Sequence, residues 1–140
     1  MGQSTLVIIK PDAVAAGHEG AIREMIGATG LRPLWGRWYA HTINRVQVES
    51  LYREHLGKPY YEDLCSFMTS GPVSLAIIYG TESIRRMREL AGTTDPSKAA
   101  DGTIRSLFGT AVNRNAVHSS DSPHSAEREI CIFFSADALS

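Results

Sequence analysis

Two short apolar runs rich in β-branched residues constrain this chain most: Thr5 to Lys10 and Val73 to Tyr79. Each has strand length. The first is stopped by Pro11-Asp12 and the second is preceded by Ser70-Gly71-Pro72, so both read as buried strands bounded by breakers. Between and around them the period changes. Ile22, Met25 and Ile26 recur at helical spacing, and Gly30 is a suitable stop, which predicts a helix near 19–29. Leu34 to Thr42, rich in aromatics, suits a second strand. Val48, Leu51, Tyr52 and His55 predict a helix ending near Gly57-Lys58-Pro59. Tyr61, Leu64, Cys65 and Met68 predict a short one, with Tyr60 outside its apolar stripe. Ile84, Met87 and Ala91 set the buried face of the next helix, with Arg88 at its margin and Gly92 as its end. A final strand is expected over Ile130 to Phe134. The series is βαββαβ, which predicts an α+β fold: a ferredoxin-like antiparallel sheet with helices packed on one face.

A chain of 140 residues, 43% hydrophobic and 21% charged, fits one domain over 1–140. The formal net charge of −1 gives no reason to expect general binding to nucleic acid or to an acidic membrane. Cys65 and Cys131 both lie in apolar runs at a spacing that matches no metal motif, so two buried free thiols are expected. No stretch is long and apolar enough to span a membrane, and no basic region precedes the first apolar run. A cytoplasmic location is the default expectation.

The segment from Thr93 to Ser122 is expected to be mostly irregular, punctuated by Pro96, Gly102 and Gly109, with Ile104, Leu107, Phe108 and Val112 as anchors. A loop this long in a small domain is usually functional or disordered. It carries Arg114-Asn115-Ala116-Val117-His118-Ser119-Ser120-Asp121-Ser122: one imidazole among small hydroxyls, amides and a carboxylate. Ser122-Pro123 reads as a helix start, a place that favours an anion. His118 is therefore a candidate nucleophile for phosphate. Phosphoryl transfer needs fixed positive charge and donors around the moving group. Lys10, Arg88, Thr94, Arg105 and Asn115 can supply them, and Glu129 can hold the imidazole in one tautomer. The chain has no Walker-type or kinase-type glycine loop. Each residue alone has a plainer explanation. Lone arginines mostly make surface ion pairs, Tyr52 and Tyr60 fit ordinary half-buried aromatics, and Lys10 can cap a strand end in solvent. His18, His41, His55 and His124 have no comparable polar setting and are taken as structural. Only the combination is informative.

Asn115-x-x-His118-x-Ser120-Asp121-Ser122, with Ile9-Lys10-Pro11-Asp12 and Gly102-Thr103-Ile104-Arg105, resembles the nucleoside diphosphate kinase family. Gly57-Lys58-Pro59-Tyr60-Tyr61 and Ser70-Gly71-Pro72 fit it too, so the likeness runs from about Thr5 to Phe134. The resemblance implies transfer of the γ-phosphate from a nucleoside triphosphate to a diphosphate (ATP to GDP, for example). It implies a ping-pong route with Mg²⁺ and the maintenance of NTP and dNTP pools. It implies that His118 is phosphorylated, that Glu129 orients it, that Lys10 and Tyr52 lie close to the transferred phosphate, and that Ser120 lies beside the histidine. Arg88, Thr94 and Arg105 match phosphate ligands. Lys10 and Asn115 match contacts to the ribose. Tyr60 matches the aromatic on which the base stacks, with Val112 behind it. The metal would ride on the nucleotide phosphates with no protein ligand, and the family forms homo-oligomers, tetramers or hexamers built from dimers. The chain departs from the family pattern at Ser119 and Asn113, where glycine is usual, and at Tyr60, where phenylalanine is usual. If position 119 needs an unusual backbone conformation, serine is costlier there.

Two other readings stay open on sequence alone. One is a catalytically silent member that binds nucleotide or a partner protein. The other is a histidine phosphocarrier that hands phosphate to a protein, which leaves Tyr60, Val112 and Asn115 unexplained.

Overall fold

Burial of the two strand runs on both faces decides the architecture. The computed structural model describes residues 2–134. In it β1 (Gly2–Ile9) and β4 (Val73–Thr81) pair antiparallel from Gly2 opposite Thr81 to Ile9 opposite Ser74. A third strand, β5 (Val117–Ser119), pairs with the other edge of β1 and sets His118 opposite Ile8. β2 (Arg32–Pro33) and β3 (Tyr39–His41) both lie on the far edge of β4. Taken as the halves of one broken strand, they complete a ferredoxin-like antiparallel sheet in the order β2/β3–β4–β1–β5.

The helices cover both faces of this sheet, not one. Leu6, Ile8, Leu75 and Ile77 pack against α3 (Arg45–Leu51), α4 (Tyr61–Met68) and Ile130 of α7 (Pro123–Phe133). Val7, Ile9, Ala76 and Ile78 face the other way. They meet Ala13 of α1 (Pro11–Ala15), Ile22 and Ile26 of α2 (Glu19–Ala28), and Met87 and Ala91 of α5 (Ser83–Ala91). The reason is visible in β1, where Leu6, Val7, Ile8 and Ile9 are all 0% exposed. An apolar run that does not alternate has no face to show to water and needs cover on each side. Each such aliphatic side chain contributes about 1.5–3 kcal/mol by its burial.

The expected strand over Ile130 to Phe134 is the end of α7. Ser122 caps this helix, its Oγ accepting the Ser125 N–H at 3.1 Å, and Pro123 opens it. Ala126, Glu129 and Ile130 form its buried face at i, i+3 and i+4. The alternation of Ile130, Ile132 and Phe134 was a coincidence within that 3.6-residue period. The same helix turns Cys131 outward, so Cys65 is a buried free thiol and Cys131 an exposed one. The true fourth strand is β5, inside the stretch expected to be irregular. That stretch also holds a 3₁₀ turn at Pro96–Lys98 and a short helix, α6 (Ile104–Phe108). Ile104 anchors it and Phe108 packs on the core, whereas Leu107 and Val112 are exposed.

The strand expected over Leu34 to Thr42 is split by a 3₁₀ turn at Leu34–Gly36, where Trp35 (φ 60°) and Gly36 (φ 66°) are left-handed. Among the described residues, no helix is long and apolar enough to cross a membrane.

Candidate active site

The end of β1 and the start of β5 together present His118. Before β5 the chain makes a three-residue turn, with the Val117 N–H donating to the Asn115 carbonyl at 2.9 Å around Ala116. Ala116 is fully buried with φ 75°, a conformation that side-chain-bearing residues adopt only when their surroundings enforce it. Its carbonyl accepts the Lys10 N–H at 2.8 Å, and its own N–H donates to Asp12 Oδ2 at 3.1 Å. Backbone strain near His118 thus sits at Ala116. Ser119 is in extended strand opposite Val7, and Asn113 keeps a negative φ and donates to Asp63. The two glycine replacements therefore carry no left-handed backbone.

His118 Nε2 lies 2.8 Å from Glu129 Oε1. A carboxylate only accepts, so the bond puts the proton on Nε2 and leaves Nδ1 with the lone pair in a neutral ring. The same oxygen accepts the Ser120 hydroxyl at 2.7 Å, and Ser120 Oγ in turn accepts the Leu6 N–H at 3.2 Å. Ser120 therefore stands behind the carboxylate and ties it to β1. Glu129 is buried, which by itself raises its carboxyl pKa. The bonds from His118 and Ser120 and the nearby charge of Arg128 outweigh this and hold it below the usual value.

Three cations face the same space without a carboxylate partner among the described residues. Arg105 donates to the carbonyls of Gly92 (2.7 Å) and Val117 (2.9 Å), which clamp its guanidinium beside β5. Gly92 is suited to this, since at φ 87° a Cβ would stand 2.6 Å from Thr103 Oγ1. Burial and the charge of Arg88 push the Arg105 pKa down to about 10, so it stays charged at neutral pH. Lys10 Nζ donates to Asn115 Oδ1 at 2.8 Å, and Asn115 Nδ2 donates to the Thr94 carbonyl at 3.0 Å. Burial, reinforced by Arg105 and opposed by Asp12, pushes the Lys10 pKa down to about 7.

A polyphosphate docked beside Lys10 restores the charge that burial removes. Polyphosphate binding at about pH 8 is thus expected to take up close to one proton, and binding at about pH 6, where Lys10 is mostly protonated, to take up far less. Calorimetry in two buffers of different ionisation enthalpy measures this directly, and zero uptake at the higher pH would show that the protonation of Lys10 does not change on binding.

These groups line one cavity of about 370 Å³, within the range of small-molecule sites. Lys10, Tyr52, Tyr60, Arg88, Thr94, Arg105, Val112, Asn115, His118 and Glu129 all border it. Only Ser120 of the expected residues lies outside, one bond behind. Tyr52 meets His118 edge-on with ring centroids 6.1 Å apart, and its buried hydroxyl has no partner among the described residues. Tyr60 and Val112 border the cavity side by side at the surface and are exposed. The cavity therefore has a cationic end around His118 and an open aromatic–aliphatic slot. The sequence reading missed His55, set aside as structural, which lines the cavity with its ring nitrogen Nδ1 2.6 Å from the Tyr60 hydroxyl. It also missed Glu54, Asp121 and Arg128 in the same wall. Asp121 lies within the motif, where it was given no role, and Arg128 adjoins Glu129. Glu54 had no such signal, and His55 counted only towards a helical stripe, whereas both sit in a 3₁₀ turn (Arg53–His55).

The family model for nucleoside diphosphate kinase matches residues 3–139. A nucleoside diphosphate kinase of Halorhodospira halophila is 44% identical over 137 residues, covering 98% of this chain and 96% of that one. The solved nucleoside diphosphate kinase of Aquifex aeolicus superposes with a TM-score of 0.90 at 36% identity, covering 99% of each chain. That of Halobacterium salinarum, solved in complex with CDP, superposes with a TM-score of 0.92 at 35% identity, covering 99% of this chain and 91% of that one. The chain belongs to the nucleoside diphosphate kinase family, phosphotransferases that act between nucleoside triphosphates and diphosphates.

Proposed function

We propose that His118 carries the phosphate in a two-step exchange between nucleotides. The observation that supports it most is the 2.8 Å bond from His118 Nε2 to Glu129 at the cationic end of the cavity. In the first step the Nδ1 lone pair attacks the γ-phosphorus of the donor. The bond to the β–γ bridging oxygen breaks, and the diphosphate leaves with that electron pair. In the second step a terminal phosphate oxygen of an acceptor diphosphate attacks the same phosphorus, and the P–N bond breaks back onto Nδ1. Covalent catalysis of this kind splits one transfer into two similar, reversible halves. Glu129 holds the ring and stabilises positive charge on it. Lys10, Arg88 and Arg105 stabilise the charge on the equatorial oxygens, with Thr94 as a further donor and Tyr52 close to the transferred group.

The slot between Tyr60 and Val112 takes the base by its face, which admits any base. Lys10 and Asn115 meet the ribose. Ser120 acts through Glu129. Mg²⁺ suits this donor set as an ion that arrives on the nucleotide, since most of the wall offers donors for phosphate oxygens. Glu54 and Asp121 are the carboxylates it would meet. When bound it neutralises phosphate charge. The cellular role that follows is the balancing of NTP and dNTP pools. Assembly as a homo-oligomer, a hexamer or a tetramer built from dimers, is carried by the family resemblance alone.

The test is a label and a chase. Protein incubated with γ-labelled ATP should acquire acid-labile, base-stable phosphate, and GDP should then remove it as labelled GTP. No labelling would sink the reading. Labelling that GDP cannot discharge would mark a phosphocarrier for another protein.

A further inference from the structure

The aromatic side of the cavity is tied to its cationic side by a chain of rings. Tyr60 Oη and His55 Nδ1 are 2.6 Å apart, with ring centroids at 5.5 Å. The other side of His55 meets Tyr52 edge-on at 5.8 Å, and Tyr52 meets His118 at 6.1 Å. The backbone over the same span lies at the surface, closed by local turn bonds and by the Tyr60 carbonyl accepting the Leu64 N–H at 3.0 Å. From Leu56 to Tyr60 every residue is exposed, Gly57 is at φ 87°, and the turn closes with a bond from the Lys58 N–H to the His55 carbonyl at 3.0 Å. Tyr60 itself is 39% exposed. An exposed ring on such a segment samples several rotamers, and a ligand that needs one of them must offset the loss of the rest. The side-chain bond to His55 is what holds this ring before any ligand arrives. It does so whichever of the two atoms carries the proton.

We propose that His55 is a positioning residue that locks Tyr60 as a preset stacking platform, so that the site favours phosphodonors and acceptors bearing a planar base over base-free phosphate compounds. The inference rests on the phosphohistidine reading above. Stacking on a fixed face reads no base edge, so its benefit is shared by all nucleotides and absent for a base-free donor. The ring contributes to how tightly the nucleotide is held, and the chemistry at Nδ1 proceeds independently of it.

The experiment separates the two ends of the cavity. His118 is loaded with phosphoramidate, a small phosphodonor without a base, and the phosphoprotein is then discharged by a series of GDP concentrations. In Tyr60→Phe and in His55→Ala, the GDP concentration at half-maximal rate should rise about twofold to tenfold, the worth of one ordinary hydrogen bond. The maximal discharge rate should change by less than about twofold, and loading by phosphoramidate should keep pace with the wild type within about the same factor. The double variant should be no worse than the weaker single, because both changes remove the same bond. Tyr60→Phe keeps the ring, so folding is not at stake in it. An unchanged half-saturation in that variant would overturn the proposal, as would effects that multiply in the double variant or a loss confined to the maximal rate. If wild-type protein takes no phosphate from phosphoramidate or from ATP, the phosphohistidine reading falls and this inference falls with it.

Discussion

His118→Ala is expected to leave a folded protein that accepts no phosphate. The side chain is 15% exposed at the edge of the sheet, and its removal leaves the β1–β5 pairing intact, so the melting temperature should hold within a few degrees. The nucleophile is the one group that the cationic wall cannot replace. In the proposed exchange Lys10, Arg88 and Arg105 stabilise charge, yet none of them can carry the phosphate between two nucleotides that occupy the cavity in turn. Turnover should fall by at least about 10⁴-fold, as when other covalent catalysts lose their nucleophile. Labelling from γ-labelled ATP should vanish, while nucleotide binding persists because its contacts lie elsewhere in the wall. Base-stable label surviving in this variant would place the nucleophile on another residue.

Glu129→Ala carries the second-largest expected loss. Its carboxylate receives both His118 Nε2 and the Ser120 hydroxyl. Without it the imidazole can hold either tautomer and turn about its own bonds, and the charge that develops on the ring loses its counterion. Groups in this position are worth between about 10²- and 10⁴-fold in rate. The nucleotide itself touches other residues, so the deficit should fall on kcat, with KM little changed. Glu129→Gln keeps an acceptor near Nε2 and should recover part of the loss. Glu129→Ala also leaves the buried Ser120 hydroxyl without its acceptor, at a cost of about 1–3 kcal/mol, which thermal melts will register. A variant whose KM rises while kcat stays at the wild-type level would defeat the orienting role.

Legibility in the sequence followed the strength of local signals. β1 and β4 were plain because their apolar runs are long and bounded by breakers. The same β1 run also contained the news that both faces are covered, since its four central residues do not alternate. β5 was invisible: three residues have no period, and two of its three side chains are polar. α7 shows two rules in competition. Its start was readable at Ser122-Pro123, but the alternation near its end mimicked a strand, and a helix once capped and running overrides such a pattern. Glu129 was nevertheless nominated correctly as a neighbour of His118 in the cavity wall, because its chemistry mattered more than its secondary structure. His55 shows the converse. A histidine in an exposed turn gives no signal until the fold brings a tyrosine hydroxyl to its ring. The doubt over Ser119 pointed at the right stretch and the wrong residue, since left-handed strain belongs to a buried alanine three positions earlier.

That alanine has a consequence for how the protein fails. The Ala116 peptide is gripped on one side by the Lys10 N–H and on the other by the Asp12 carboxylate, at the junction of β1 and α1. Freeing His118 therefore means opening the strand whose core residues are wholly sealed from water, which places it among the last parts of a protein to exchange its amides. Catalytic elements are often drawn from the loosest part of a fold and go dead before the rest melts. Here the nucleophile belongs to the same cooperative unit as the core, so heat should remove activity and structure together, in one transition.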